Sequence, residues 1–353
     1  MIEKRRTLII LSPGFAINEE DSTCLPAQQS FIKSLNKLFP DLKVIIIAFE
    51  YPFLKSEYMW FTNLVITFAG KNRRKILRLL MWWKIWRKLK NITQEENIIG
   101  LLSFWCTETA LVGKLFAKKF KLKHYCWILG QDARKGNKMI RFIKPKSEEL
   151  IAMSDFLAEE FFSNYKIHPQ HIITNGINPE LFSQNNFERN IDISAAGSVI
   201  PLKRYDVFIN VINQIKKSIP PVKATLCGKG EEEEKLKSLI EKFNLQKNIT
   251  LTGEIPHDEV LKIMQRSKIF LHTSSYEGFS GACLEALYAG AHVISFCQPM
   301  KQKIDHWHIV KNEKEMIAKT IELLTNSSTD FTSILPFSMD DTARKMMKLI
   351  MDS

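Results

Sequence analysis

Short apolar runs recur along this chain, separated by stretches in which apolar residues return every three or four positions. In the first half the runs at 7–11, 43–49, 98–104, 123–129 and 149–154 predict strands, and 28–38 and 108–120 predict helices between them. The same rhythm resumes further on, with strands predicted at 191–196, 223–227, 249–252 and 269–273 and helices at 205–218, 231–243, 257–265 and 281–289. Strands alternating with helices predict parallel sheets wrapped by helices, hence an α/β protein. Between the two series, 172–182 carries the pairs Asn175-Gly176 and Asn178-Pro179, which mark turns and place a domain boundary. The expectation is two doubly wound, Rossmann-like domains, 1–176 and 177–336, followed by 337–353 with a closing helix near 339–351. Two such domains would face each other across a cleft at the carboxyl ends of their sheets.

Length agrees, since 353 residues suit two domains of about 150–200 residues. With 45% hydrophobic and 25% charged residues the chain is that of a packed protein, which excludes extended disorder. The apolar run at 8–11 is too short for a signal-peptide core, and no run of 18 uncharged apolar residues occurs. A cytoplasmic protein is expected. The six cysteines show no CxxC spacing and are read as free buried thiols.

Charge changes the picture more. Residues 1–150 hold 27 Lys and Arg against 13 Asp and Glu, whereas 151–353 hold 23 against 25. The first domain is therefore expected to face something anionic. Its most unusual segment is 71–90, KNRRKILRLLMWWKIWRKLK, with nine basic residues, three tryptophans and no acid. Ile76, Leu80, Trp83 and Trp86 or Arg87 recur at helical spacing, predicting an amphipathic helix. Two readings stand side by side: a peripheral anchor on an anionic membrane surface, or a crossover helix packed on the sheet with its lysines solvated.

The chemistry concentrates in 274–290, SSYEGFSGACLEALYAG. A strand, a small-residue loop and a helix starting at Gly281 aim backbone N–H groups and a positive helix end at the loop, an arrangement that suits a diphosphate. Gly278 allows close approach. Glu277 in the loop and Glu285 one turn into the helix make poor companions for phosphate, but each can accept two hydrogen bonds from a vicinal diol. On residue chemistry alone, a solvated helix glutamate and a loop charge explain the pair equally well.

Two glutamates eight positions apart in an EGF-containing segment resemble the retaining GT-B glycosyltransferases of the large family that includes sucrose-phosphate synthases (glycosyl transferases group 1). The likeness extends over LIILSPGF, EELIAMSDFLAEEF, NGINPELF, AAGSVIPLKRYDVFINVI, ATLCGKG and LTGEIPHDEVLKIMQRSKIFLHTSSYEGF. It implies a GT-B fold in which the first domain binds the acceptor, the second binds a nucleotide-sugar, and the last helix crosses back to the first. It further implies that Glu277 contacts donor-sugar hydroxyls, that Gly278, Phe279, Ser280 and Gly281 meet the sugar and diphosphate, that Glu285 binds the ribose, and that Lys203 binds phosphate. Gly228 and Glu254 would lie near the base, and Gly14 near the donor phosphates.

The chain departs from the family's pattern at three places. Ser198 stands where the family has arginine, so Arg204 is the expected second cation. Leu129 replaces a histidine, which moves any acid-base or positioning role in the first domain to Asp132 or Gln131. The glycine pair after Ile294 is absent, the sequence there reading SFCQPMKQKIDHW. The expected reaction is retaining transfer of a hexose from a UDP- or GDP-sugar to a glycan or lipid-linked acceptor, in cell-surface polysaccharide or glycolipid synthesis. No Asp-x-Asp pair lies near the cleft, so neither a metal nor a cofactor beyond the co-substrate is expected, and no nucleic acid partner. The rival reading is a non-catalytic protein that keeps the fold and binds a membrane surface or nucleic acid.

Overall fold

The computed structural model describes residues 5–70, 75–183 and 187–352. The chain divides into two units, 1–176 with 338–353, and 177–337.

In the first unit the run at 8–11 forms the buried centre of β1 (Arg6–Gly14), which pairs in parallel with β2 (Lys43–Tyr51) and β5 (Asn97–Phe104) on either side. Ile9 stands opposite Ile45 and Leu101. Such near-continuous apolar runs are what a strand covered on both faces requires. Between these strands lie α1 (Pro26–Leu38), the hairpin of β3 (Glu57–Trp60) and β4 (Asn63–Thr67), and α2 (Lys75–Glu95); α3 (Glu108–Phe120), β6 (His124–Ile128), the short α4 (Ile140–Ile143), β7 (Leu150–Ala152), α5 (Asp155–Tyr165) and β8 (His171–Ile172) follow. The sheet order is β3-β4-β2-β1-β5-β6-β7-β8, parallel except for β3, which runs antiparallel to β4.

The sheet's second face and its edge hold two findings that sequence spacing did not anticipate. The first is the β3–β4 hairpin at the sheet edge. The second concerns α2. Its buried stripe is Met81, Ile85, Leu89 and Ile92, packed with α3's Val112 and Phe116 against Ile9, Ile45 and Ile47. Of the stripe read from the sequence, Ile76, Leu80, Trp83 and Arg87 are exposed, whereas Trp86 is half-buried and packs against this core. The helix carries two apolar stripes, and the sheet covers the one formed by Met81, Ile85, Leu89 and Ile92. Residues 71–74 of the basic segment lie outside the described residues.

The C-terminal helix Met339–Asp352 belongs to the first unit. Lys37 pairs with Asp340 at 3.2 Å, Thr342 Oγ1 donates to Thr174 O at 2.8 Å, and Lys123 Nζ donates to Ile350 O at 2.9 Å. Gly176 has no room for a side chain, because a Cβ there would lie 2.3 Å from the Ser338 carbonyl carbon.

The second unit comprises β9 (Ile191–Ala196), α6 (Tyr205–Ser218), β10 (Ala224–Cys227), α7 (Glu233–Lys242), β11 (Ile249–Gly253), α8 (His257–Gln265), β12 (Ser267–His272), α9 (Gly281–Tyr288), β13 (His292–Ser295), β14 (Trp307–Ile309) and α10 (Glu313–Thr325). Its parallel sheet runs β11-β10-β9-β12-β13-β14. The order reverses between β9 and β12, and a crevice beyond the carboxyl ends of strands at such a switch point is where open α/β sheets bind ligands. All six cysteines are free thiols; Cys24 and Cys297 are half-buried and the others buried. Among the described residues no helix is long and apolar enough to cross a membrane.

Candidate donor site at the β9/β12 switch point

β9 is followed by Gly197, whose φ of 143° turns the chain into 198–204. A 3-10 turn, Pro201–Lys203, brings this loop beside the one that follows β12. Thr273 Oγ1 donates to Lys203 O at 2.7 Å, and the Ser275 amide donates to Leu202 O at 3.0 Å. So held, Lys203 Nζ reaches Glu277 Oε2 at 2.6 Å. His272, the last residue of β12 and only 4% exposed, places Nε2 3.5 Å from the same oxygen. Burial would raise the Glu277 carboxyl, but His272 and Lys203 prevail and hold it at about 2. Burial in turn lowers the His272 imidazole below its usual value, against the pull of Glu277. The result is an ionised, half-buried carboxylate held in place on one side and offering its remaining lone pairs.

The loop then enters α9. Ser280 caps it, its Oγ accepting from the Cys283 amide at 3.3 Å. Gly278 and Ser280 are buried, while Gly281 is partly open at the helix start. The Phe279 side chain turns inward and stacks on Trp307, with centroids 6.2 Å apart and planes 19° from parallel. One turn into α9, Glu285 Oε1 lies 2.9 Å from Nε2 of His257, the first residue of α8. That hydrogen bond raises the imidazole above its ordinary value. Neither His257 nor His272 was singled out by the sequence reading. His272 lies five residues before Glu277, a spacing that acquires meaning only once the strand end folds back.

Glycines close the neighbouring strand ends. Gly228, with φ 139°, donates its amide to Gly253 O at 2.9 Å, and a Cβ on it would lie 2.0 Å from Gly197 O. Glu254 follows, exposed. The glutamates 231–234 are a solvated helix start, with Glu232 pairing to Lys235 and Glu233 and Glu234 pairing to Lys237.

Arg204 is the N-cap residue of α6, with φ 51°, and its guanidinium lies over the Phe296 ring at 5.8 Å, in the segment after β13 that departs from the family pattern. In the first unit, Asp132 is a loop clamp. It is 4% exposed, Oδ1 accepts from the amides of Leu129 and Gly130 at 3.2 and 2.9 Å, and Oδ2 accepts from the Cys106 amide at 2.8 Å. Burial pushes its carboxyl up to about 6 against the pull of these backbone donors. Gly14 ends β1 as a packing glycine, where a Cβ would meet the Tyr51 Cβ at 3.1 Å. His124 is structural, half-buried and 2.8 Å from Ser103 Oγ.

Two such units, each a parallel sheet wrapped by helices, define a GT-B glycosyltransferase fold. Residues 177–346 match the family model described as Glycosyl transferases group 1. It is 25% identical over 273 residues to an uncharacterised glycosyltransferase of Methanocaldococcus jannaschii, covering 75% of this chain and 73% of that one. It is 28% identical over 218 residues to the phosphatidylinositol N-acetylglucosaminyltransferase gpi3 subunit of Schizosaccharomyces pombe, covering 58% of this chain and 48% of that one. Among solved structures, HepE from Anabaena in complex with UDP and glucose superposes with a TM-score of 0.64 at 13% identity, covering 97% of this chain and 94% of that one.

Proposed function

We propose that the second unit binds a UDP- or GDP-linked hexose at the β9/β12 switch point and that the protein transfers the hexose, with retention, to a glycan or lipid-linked acceptor held by the first unit. The observation that carries this reading is the Lys203–Glu277 pair at 2.6 Å, in the crevice where an open α/β sheet takes its ligand. HepE, of the same fold, was solved with UDP and glucose, and the gpi3 subunit is named for a phosphatidylinositol acceptor.

In this reading Glu277 accepts from the sugar hydroxyls, and the start of α9 with Lys203 faces the diphosphate. As the bond from the anomeric carbon to the diphosphate oxygen breaks, negative charge grows on the leaving group, and Lys203 and the α9 amides stabilise it where it forms. The acceptor hydroxyl attacks from the face the diphosphate leaves, and its proton passes to the departing phosphate oxygen. This route asks for no metal or further cofactor. Glu285, steadied by His257, takes the ribose hydroxyls, and Gly228 with Glu254 borders the base. The enzyme works at the cytoplasmic face of a membrane, in the synthesis of a surface polysaccharide or glycolipid.

A thermal-shift screen of UDP-, GDP- and ADP-sugars tests the donor, since a ligand bound only by the folded state raises its stability by mass action. Stabilisation by one nucleotide series, lost in Lys203→Ala, is the expected result. A protein that binds no nucleoside diphosphate would instead be a non-catalytic holder of the fold.

A further inference from the structure

α2 carries two apolar stripes, and the fold uses one. Met81, Ile85, Leu89 and Ile92 are buried against the sheet, so the helix stays docked whatever its outer side meets. On that outer side Ile76, Leu77, Leu79, Leu80 and Trp83 are 45–75% exposed. Five large apolar side chains on little more than two turns of one helix are more than scattered surface residues and mark a contact surface. The N-terminal end is pinned, because Arg78 pairs with Glu108 and Trp82 Nε1 donates to Glu108 Oε2 at 2.9 Å.

Beside this stripe lies a cavity of about 550 Å³ between α2 and the β3–β4 hairpin. Lys55, Lys84, Arg87 and Lys88 line it, and its single carboxylate, Glu57, is already paired with Lys88 at 2.8 Å. Trp83 belongs to both features, lining the cavity while Arg87 lies over its ring at 4.8 Å. Just ahead of Lys55, Phe53 and Leu54 are 56% and 70% exposed. Apolar side chains, a tryptophan and a cationic recess therefore occur in that sequence across one surface.

A protein partner would match the apolar part and a polyanion the charges; a bilayer with anionic lipid matches both. Acyl chains accept the leucines, the indole sits at headgroup depth, and Lys and Arg meet the phosphates. We infer that the outer face of α2 is a membrane-docking surface and that the cavity lined by Lys55, Lys84 and Arg87 receives the phosphate of an anionic phospholipid headgroup. This deepens the membrane placement proposed above and is independent of the donor site.

The test is co-sedimentation of the full chain with vesicles of phosphatidylcholine alone and of equal parts phosphatidylcholine and phosphatidylglycerol, at low and high salt. Binding is expected only to the anionic vesicles and is weakened by salt. Lys84→Glu/Arg87→Glu and Leu80→Ser/Trp83→Ser should each lower partitioning about tenfold or more, and Lys247→Glu, an exposed charge reversal in the second unit, should not. All of these positions are exposed, so the variants are expected to fold, and the same samples are checked by circular dichroism and nucleotide-sugar thermal shift. Lost vesicle binding with retained donor binding supports the proposal; lost donor binding with retained vesicle binding faults the donor reading alone. Equal binding to neutral vesicles overturns the headgroup site, and unchanged binding in the Leu80/Trp83 variant overturns the docking face. Retention on single-stranded RNA without vesicle binding reassigns the surface and overturns both.

Discussion

Lys203 and Glu277 form a 2.6 Å ion pair across the ends of two adjacent strands, β9 and β12. The pair costs each side chain freedom and part of its hydration. Such an arrangement persists where something else gains from both charges being fixed. Replacing Glu277 with Ala should lower turnover by about 10²–10³ with little change in fold, and Lys203→Ala should weaken donor binding as well. Steady-state kinetics with the donor found by thermal shift would check this; near-normal turnover in Glu277→Ala would remove the site assignment.

The same carboxylate should leave a signature in acid. Its folded value of about 2 lies below the ordinary 4.5, so its contribution to stability is complete above 4.5 and fades as pH falls towards 2. Denaturant unfolding of the wild type and Glu277→Gln across that interval should give two curves that converge as the solution becomes more acidic. Curves that stay parallel would show that the carboxylate is not held as described.

Glu285 is steadied by a partner that titrates. The His257 imidazole is raised above its usual 6.5, so its contribution is full below 6.5 and is lost as pH rises through the folded value. His257 is 43% exposed on its side chain, so solvent screening keeps the effect below about 1 kcal/mol. Donor KM should therefore rise modestly above neutral pH in the wild type, and His257→Ala should flatten that profile. An unchanged profile would separate His257 from the donor.

Asp132 offers the opposite test. Because its carboxylate clamps the amides of Cys106, Leu129 and Gly130, Asp132→Ala should cost about 1–3 kcal/mol of stability while leaving kcat nearly intact below the melting temperature. A stable variant with a collapsed kcat would instead place Asp132 in the catalytic machinery.

Gly228→Ala places a Cβ 2.0 Å from Gly197 O at a φ of 139°, so the strand-end turn must move. A loss of about 2–4 kcal/mol is expected, read as a lower Tm, together with weaker nucleotide binding.

Much of the second unit was legible in the sequence because its helices show one clear stripe and its strands are short apolar runs between turns. The predicted spans of β9, α6 and α8 coincide with the observed ones. The β3–β4 hairpin escaped because only Trp60 of the four β3 residues is buried, leaving no alternation to read. α2 misled because both of its stripes are apolar, and which one the sheet covers depends on side chains distant in sequence. The glutamate pair was visible by spacing, but its supports were not. His272 acts through a loop that doubles back, His257 comes from another helix, and Arg204 is drawn aside by Phe296, which belongs to a segment nearly a hundred residues later.

The helix Met339–Asp352 bears on how the molecule is made. The first unit is written in two pieces, with the whole second unit between them. On the ribosome, 177–337 is a continuous passage that can complete its sheet as soon as it emerges. The earlier-born first unit still lacks the helix that packs beside α1 and against Gly176. Of the two units, the one begun earlier is therefore the one finished later.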